Sequence, residues 1–362
     1  MKALERMSKR SLIILGAILV LLGGGFLLRG QIAVAMMERV LVKTLASDPI
    51  DALPDGLHVG LCGAGSPLPD ADRAGPCVAV IAGKKLFVVD IGDGATRNLS
   101  LMNLAPARVD AAFLTHFHSD HIDGLGGLML QHWGGSAQKP LTVYGPPGVD
   151  QVVFGFNTAY ALDRGYRIAH HGPKVMPPEG SGGEALPFPI DAAHPEALII
   201  DEPDLKVRAF LVDHSPVEPA VGYIFEYKGR KVVISGDTKP SANVQTAAKD
   251  ADILIHEALS PELVLMMQKS ATKAGRPNLA AILHDIPGYH TSPEQAATIA
   301  QKAGVKMLLL DHIVPPLRLK ALEGPFLGKA RQIFHGRLVI GTDGDFFTLP
   351  ANSSAIKKTN RL

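Results

Sequence analysis

The chain has 362 residues, 46% of them apolar, and its 36 basic and 35 acidic side chains leave a formal charge of +1. That length suits one large domain or two small ones, and the near-balanced charge excludes a global basic field, so a polyanion partner would need a local basic patch. No repeat of solenoid period runs through it.

The first thirty residues stand apart. Lys2, Arg6, Lys9 and Arg10 precede an uncharged run from Ser11 to Leu28, closed by Arg29. Such a run is just long enough to span a bilayer as a helix, and the basic residues ahead of it favour a cytoplasmic N-terminus. Ala33-Val34-Ala35 has the small-residue pattern of a signal cleavage site, but Arg29 and Gln31 separate it from the apolar run. The expectation over 1–30 is therefore an uncleaved anchor, with a secreted product as the alternative, and in either case an exported catalytic part. Residues 31–56 read as a juxtamembrane helix, with Ile32, Met36, Val40 and Leu41 at helical spacing, followed by a Pro-containing linker.

The main domain is expected over 57–350. Strands are predicted at Leu57–Cys62, Cys77–Ala82 and Lys85–Ile91, with Gly83-Lys84 as a tight turn. Gly63 to Pro69 is too rich in Gly and Pro to be regular. Cys62 and Cys77 fall on the first two strands, and an oxidising compartment would allow a disulfide between them. Two separate buried thiols are the alternative. Val109 to Leu114 reads as a buried strand, and its C-terminal end runs into Thr115-His116-Phe117-His118-Ser119-Asp120-His121. In an extended segment residues two apart point the same way, so His116 and His118 can converge on one ion. A bend at Asp120-His121 would aim that pair at a second. Imidazole with carboxylate suits zinc, manganese or ferrous iron.

Further strands are predicted at Leu141–Tyr144, Leu205–Val212, Ala220–Tyr227, Lys231–Ser235, Ile253–His256, Val305–Leu310, Leu338–Ile340 and Phe346–Leu349. Helices are expected near Val149–Leu162 and over Pro293–Lys302. Tyr166 to Pro203 is the least regular stretch and reads as a lid or a surface excursion. Residues 351–362 read as a polar tail. Strands followed by helices, twice over, predict two packed β-sheets with helices outside. Three later strands stop at ligand-type residues: Asp213-His214, Asp237 after Ser235-Gly236, and Asp311-His312.

The run His116-x-His118-x-Asp120-His121 resembles the signature of the metallo-β-lactamase superfamily of hydrolases, over roughly Gly56 to Pro350. The resemblance implies an αββα sandwich of the α/β class with metals at one edge. It also implies a ligand set in which His116, His118 and His214 hold one ion, Asp120, His121 and His312 hold the other, and Asp237 bridges both. Two Zn2+ are expected, with Mn2+ or Fe2+ as alternatives. They would share a hydroxide that serves as the nucleophile. Asp213 and Asp311 are candidates to orient neighbouring imidazoles. Gly288 to Ala297, together with His256-Glu257-Ala258 and Asp311-His312-Ile313, is similar to the ribonuclease Z group. That similarity implies a role for His290 at the leaving group, with Glu257 placed to orient it. Asp120 and His290 are the expected catalytic residues.

Two features depart from an enzyme of tRNA processing. Tyr166 to Pro203 carries two Asp and four Glu against two basic residues, so it has no basic RNA-binding arm. Gly65 to Pro69 with Arg73 to Pro76 looks more like the broader ribonuclease Z-like and arylsulfatase-like hydrolases. The expected substrate is accordingly a small phosphodiester or sulfate ester, with nucleic acid not expected as a partner and a homodimer left open. The alternatives are a lactonase or β-lactamase chemistry, or an endoribonuclease acting on RNA.

Overall fold

The computed structural model describes residues 8–46 and 48–362; Lys2 and Arg6 lie outside them. The chain divides into two compact units, Met1–Ala52 and Leu53–Leu362. In the first, a single helix runs over Lys9–Leu45, 37 residues or about 55 Å. The anchor and the juxtamembrane helix read from the sequence are one continuous helix, because Gly30 between them weakens a helix without ending it as a proline would. Ile13, Leu21 and Leu27 on this helix are exposed.

The second unit holds fifteen strands in two sheets. In chain order they are β1 (Gly56–Gly63), β2 (Cys77–Ala82), β3 (Lys85–Val89), β4 (Val109–Phe113), β5 (Leu141–Gly145), β6 (Gly183–Pro187), β7 (Glu196–Asp201), β8 (Leu205–His214), β9 (Val217–Tyr227), β10 (Arg230–Ile234), β11 (Ile253–Leu259), β12 (Met307–Val314), β13 (Arg337–Ile340), β14 (Asp345–Pro350) and β15 (Lys357–Asn360). The first sheet has the order β15-β14-β1-β2-β3-β4-β5-β6 and the second β13-β12-β11-β10-β9-β8-β7. β1 to β3 are antiparallel, β2 and β3 through the short turn Gly83-Lys84, whereas β3 to β6 and β10 to β13 run parallel.

The sheets face each other across a core that includes Leu57, Val80, Phe87, Phe113, Tyr223, Phe225, Ile255 and Leu309. Phe113 meets Tyr223 and Phe225 edge to face, with ring centroids 5.3 and 5.6 Å apart. A second core lies between the second sheet and the helix Pro293–Ala303 among others, and contains Leu254, Ala297, Ala300 and Leu308. Both faces of the parallel strands are thus covered, which accounts for their nearly unbroken apolar runs. The two-sheet α/β architecture expected from the sequence is observed.

Three local expectations are corrected. Tyr166 to Pro203 is not a lid without structure. It begins in the helix Ala161–His171 and supplies β6 and β7, an outermost strand of each sheet. Edge strands need only one paired side and tolerate the prolines that hid them. The polar tail carries β15, which pairs with β14 and closes the other edge of the first sheet. The helix expected near Val149–Leu162 is two helices, Val149–Ala159 and Ala161–His171.

A candidate dinuclear metal centre

The turn after β4 is built by close backbone approach. Gly92 packs where a Cβ would stand 2.3 Å from the Asp120 carbonyl oxygen, and Gly75 packs against Gly92 in turn. Ile91 N–H donates to the His121 carbonyl and Gly124 N–H to that of Ile91. His118 precedes the short helix Ser119–Ile122 and its carbonyl accepts from His121 N–H, a bend that turns Asp120 and His121 away from His116 and His118.

The second sheet brings the remaining donors. His214 ends β8, and Asp237 follows β10. His312 is the extra residue of a bulge in β12: Asp311 pairs with Glu257 and Ile313 with Ala258, and His312 takes a left-handed φ of 44°. A bulge re-aims one side chain, and a non-glycine residue held in that region marks local strain that the surroundings enforce.

The donors fall into two sets. His116 Nε2 lies 3.0 Å from His118 Nδ1, His214 Nε2 lies 3.4 Å from the same atom, and Asp237 Oδ2 is 3.9 Å from His116 and from His214. His312 Nε2 is 3.3 Å from Asp120 Oδ2 and from Asp237 Oδ2, and His121 Nε2 is 3.5 and 3.3 Å from those two oxygens. Four donors about 2.1 Å from one ion in a tetrahedral shell stand roughly 3.4 Å from one another. Both sets match that spacing, and one oxygen, Asp237 Oδ2, belongs to both. The donor chemistry fits a pair of divalent cations for a second reason. His121 Nε2 and Asp237 Oδ1 are buried with no hydrogen-bond partner among the described residues. Buried polar atoms left so carry a desolvation cost that a cation would remove.

The surroundings fix which ring nitrogen faces inward. Asp90 Oδ2 is 2.8 Å from His121 Nδ1 and accepts from Thr115 Oγ1 at 2.7 Å, while Asp90 Oδ1 accepts from Thr115 N–H at 2.8 Å. Thr115 Oγ1 in turn is 3.1 Å from His116 Nδ1. His214 Nδ1 donates to the Tyr289 carbonyl at 3.0 Å. Each contact occupies the outer nitrogen and leaves the inner lone pair for the centre. Burial alone would lower His312, yet Asp237 and the Asp120 hydrogen bond push it up to about 9. Burial likewise opposes the charge on Asp237, but His312 and His121 hold its carboxyl well below the usual range.

All seven expected ligands are therefore brought together. His290 lies beside them, with Asp237, His290 and His312 offering atoms within 4.8 Å of one another. Its Nδ1 is 3.3 Å from Glu257 Oε1, and that oxygen accepts from Thr291 N–H at 2.7 Å. Asp311 is buried, and burial pushes it up to about 7. Asp213 is misassigned. It is exposed, and its carboxylate takes Ser215 N–H at 3.1 Å and lies 3.3 Å from Lys239 Nζ rather than from an imidazole. His170 and His171 sit on an exposed helix. Asp90 and Thr115 were missed. Asp90 fell inside the predicted strand Lys85–Ile91, but β3 ends at Val89 and a left-handed φ of 54° turns Asp90 back under the cluster. Cys62 and Cys77 form a disulfide that ties β1 to β2.

Two cavities meet at this centre. One, of about 310 Å³, is lined by His118, Asp120, Asp237, His290 and His312, with Leu68, Ile282, Leu283, Ile286, Tyr289 and Val314 as its apolar wall. The other, of about 570 Å³, shares Pro67, Leu68 and Asp120 with it and is lined by Arg73, Arg97, Asp70, Asp72, Asp93 and Asp123.

Residues 89–313 match the profile of the β-lactamase superfamily domain. A ribonuclease Z of Mycobacterium avium (strain 104) is 34% identical over 290 residues, which is 79% of this chain and 96% of that protein. A ribonuclease Z of Mycolicibacterium gilvum is 35% identical over 292 residues, covering 94% of its length. The chain belongs to the ribonuclease Z family of metallo-β-lactamase-fold hydrolases. The human tRNase Z short form has the same fold, at a TM-score of 0.56 and 22% identity over 81% of this chain and 99% of that one. So has the metallo-β-lactamase fold protein YhfI from Bacillus subtilis, at 0.56 and 19% over 80% and 98%.

This kinship corrects the expectation about partners. Relatives named as ribonucleases conflict with excluding nucleic acid, and nothing in the comparisons supports a small-molecule ester. That expectation rested on a missing basic arm and on the loops Gly65 to Pro69 and Arg73 to Pro76, and although Pro67 and Leu68 line the cavity at the centre they carry no group that selects a small ester.

Proposed function

We propose that the chain is a phosphodiesterase of the ribonuclease Z type that hydrolyses RNA with two zinc ions. In this reading His116, His118 and His214 hold one ion, Asp120, His121 and His312 the other, and Asp237 Oδ2 joins them. The observation that carries it is that single carboxylate oxygen, shared by two donor sets of tetrahedral spacing. When bound, such a pair would supply an acidified water and positive charge for a phosphoryl group.

The chain's own residues do the rest. Asp90 and Thr115 hold the imidazoles in the tautomers that face the centre. Asp120 contributes a carboxylate at the mouth of the cavity, where it is the most open of the second set of donors. His290, on the loop after Gly288, delivers a proton to the leaving oxygen. Glu257 Oε1, fixed by Thr291 N–H, keeps His290 turned toward that oxygen.

The helix Lys9–Leu45 is read as an uncleaved inner-membrane anchor, with the catalytic unit exported. It is long and apolar enough to cross a membrane by length and composition. The disulfide between Cys62 and Cys77 supports an oxidising compartment. Reporter fusions after Asp51 are expected to be active only on the exported side, and activity confined to the cytoplasm rejects that topology.

The activity is tested with the purified protein on a structured RNA bearing a 3′ extension. A single cut is expected, lost on chelation and restored by zinc or manganese. Protein carrying two metal equivalents that leaves such RNA intact rules the reading out.

A further inference from the structure

The two cavities that meet at Asp120 differ in chemistry, and His290 lines only one of them. The larger cavity is polar and rich in carboxylates, with Asp70, Asp72, Asp93 and Asp123 set against Arg73 and Arg97. Arg73 is already engaged, 3.3 Å from Asp70. The smaller cavity has an apolar wall of Leu68, Ile282, Leu283, Ile286, Tyr289 and Val314. Outside the residues of the centre it offers only the Ser119 and Tyr289 hydroxyls for hydrogen bonding. Its volume of about 310 Å³ is at the small end for a ligand site, enough for one planar group and not for a length of polymer. Tyr289 is fixed there at both ends of its residue. Its carbonyl accepts from His214 Nδ1, and its ring lies against His214 and His290 with centroids 5.4 and 5.0 Å away.

We infer that the apolar cavity receives the nucleobase of the departing nucleoside, beside Tyr289, and that it does so without reading base identity. The inference rests on the proposed role of His290. A group that protonates the leaving oxygen must face the nucleoside that carries it, and that nucleoside's base is the planar apolar body nearest the wall. Aromatic contact with a base is sequence-tolerant, because every base has a π-face. A wall without charged or amide side chains has nothing with which to distinguish base edges. The acid-lined cavity lies on the other side of Asp120, where sugar hydroxyls and base amino groups can donate to its carboxylates.

The test uses the full-length, zinc-loaded protein and measures binding by calorimetry. The probes are inorganic phosphate, adenosine 3′-monophosphate and adenosine 5′-monophosphate. Whichever oxygen departs, one of the nucleotides places its base in the cavity. That nucleotide is expected to bind roughly 5- to 150-fold tighter than phosphate, the range of one base–aromatic contact. The cytidine and guanosine forms are expected within about threefold of it, a spread below one such contact. Tyr289→Ala and the exposed-site variant Ile282→Ser should each shrink the advantage over phosphate. An advantage that neither variant reduces, or no advantage for either nucleotide, overturns the assignment. A nucleotide preference that survives while RNA is not cleaved keeps the cavity assignment and rejects the proposed function instead.

Discussion

The donors of the first sheet and those of the second meet at one carboxylate but reach it by different routes. His116, His118, Asp120 and His121 come from six consecutive positions after β4, shaped by a tight turn and the close approach of Gly92 and Gly75. His214, Asp237 and His312 come from three strands separated by up to 98 positions, and one of them depends on a bulge. The contiguous set is positioned by local backbone geometry. The dispersed set is positioned by sheet packing. Loss of a residue in the first should therefore act mainly on one ion, and loss of the shared residue in the second should act on both.

Asp237→Ala tests the sharpest form of that contrast. It removes the one oxygen common to both donor sets, so elemental analysis is expected to show both equivalents reduced and activity to fall with them, the largest loss of the series. His116→Ala should lose chiefly the first ion. Equal retention of metal in the two variants would break the comparison.

His290→Ala separates catalysis from metal holding beside the dispersed set. Both ions and near-normal thermal stability are expected to remain while kcat falls ~10²–10⁴-fold. The loss should grow as the leaving group of an aryl phosphodiester becomes less acidic, because good leaving groups depart without a proton. A loss that is uniform across such a series places His290 elsewhere in the reaction, and a loss of metal makes it a ligand.

Asp90→Asn probes what supports the contiguous set from outside. It keeps the shape but weakens the hold on His121 Nδ1, so metal affinity is expected to fall ~10- to 100-fold, read by competition with a chelator. Unchanged affinity would mean that the turn after β4 needs no neighbour. Asp213→Ala is the smallest effect. The residue adjoins His214 in sequence, yet its carboxylate is held by Ser215 and Lys239 at the surface. Activity is expected to stay within about twofold, as for a surface substitution.

The difference between the two routes also explains what could be read in advance. The strand-then-helix pattern repeated along the chain was visible because buried parallel strands are continuous apolar runs. The edges β6, β7 and β15 were not, since edge strands tolerate proline, glycine and lysine and so look like loops. Asp213 was taken for an orienting group because it is a sequence neighbour of His214, but successive residues on a strand point to opposite sides. Asp90 was passed over because it read as the end of a strand, and nothing local shows the left-handed turn that brings it under the cluster.

The sequence alone determined the donor types, their order along the chain and the strand ends that carry them, because ligand chemistry and hydrophobic periodicity are written locally. It also determined that Cys62 and Cys77 lie on adjacent strands. Tertiary structure decided which donors lie close enough to form a set, since sets of this kind are defined by distances of 3 to 4 Å between segments far apart in the chain. It decided as well that Asp90 and Thr115 fix the imidazole tautomers and that His290 borders an apolar cavity. A hydrogen bond or a cavity wall exists only once two sheets have packed, and no spacing within a single segment encodes it.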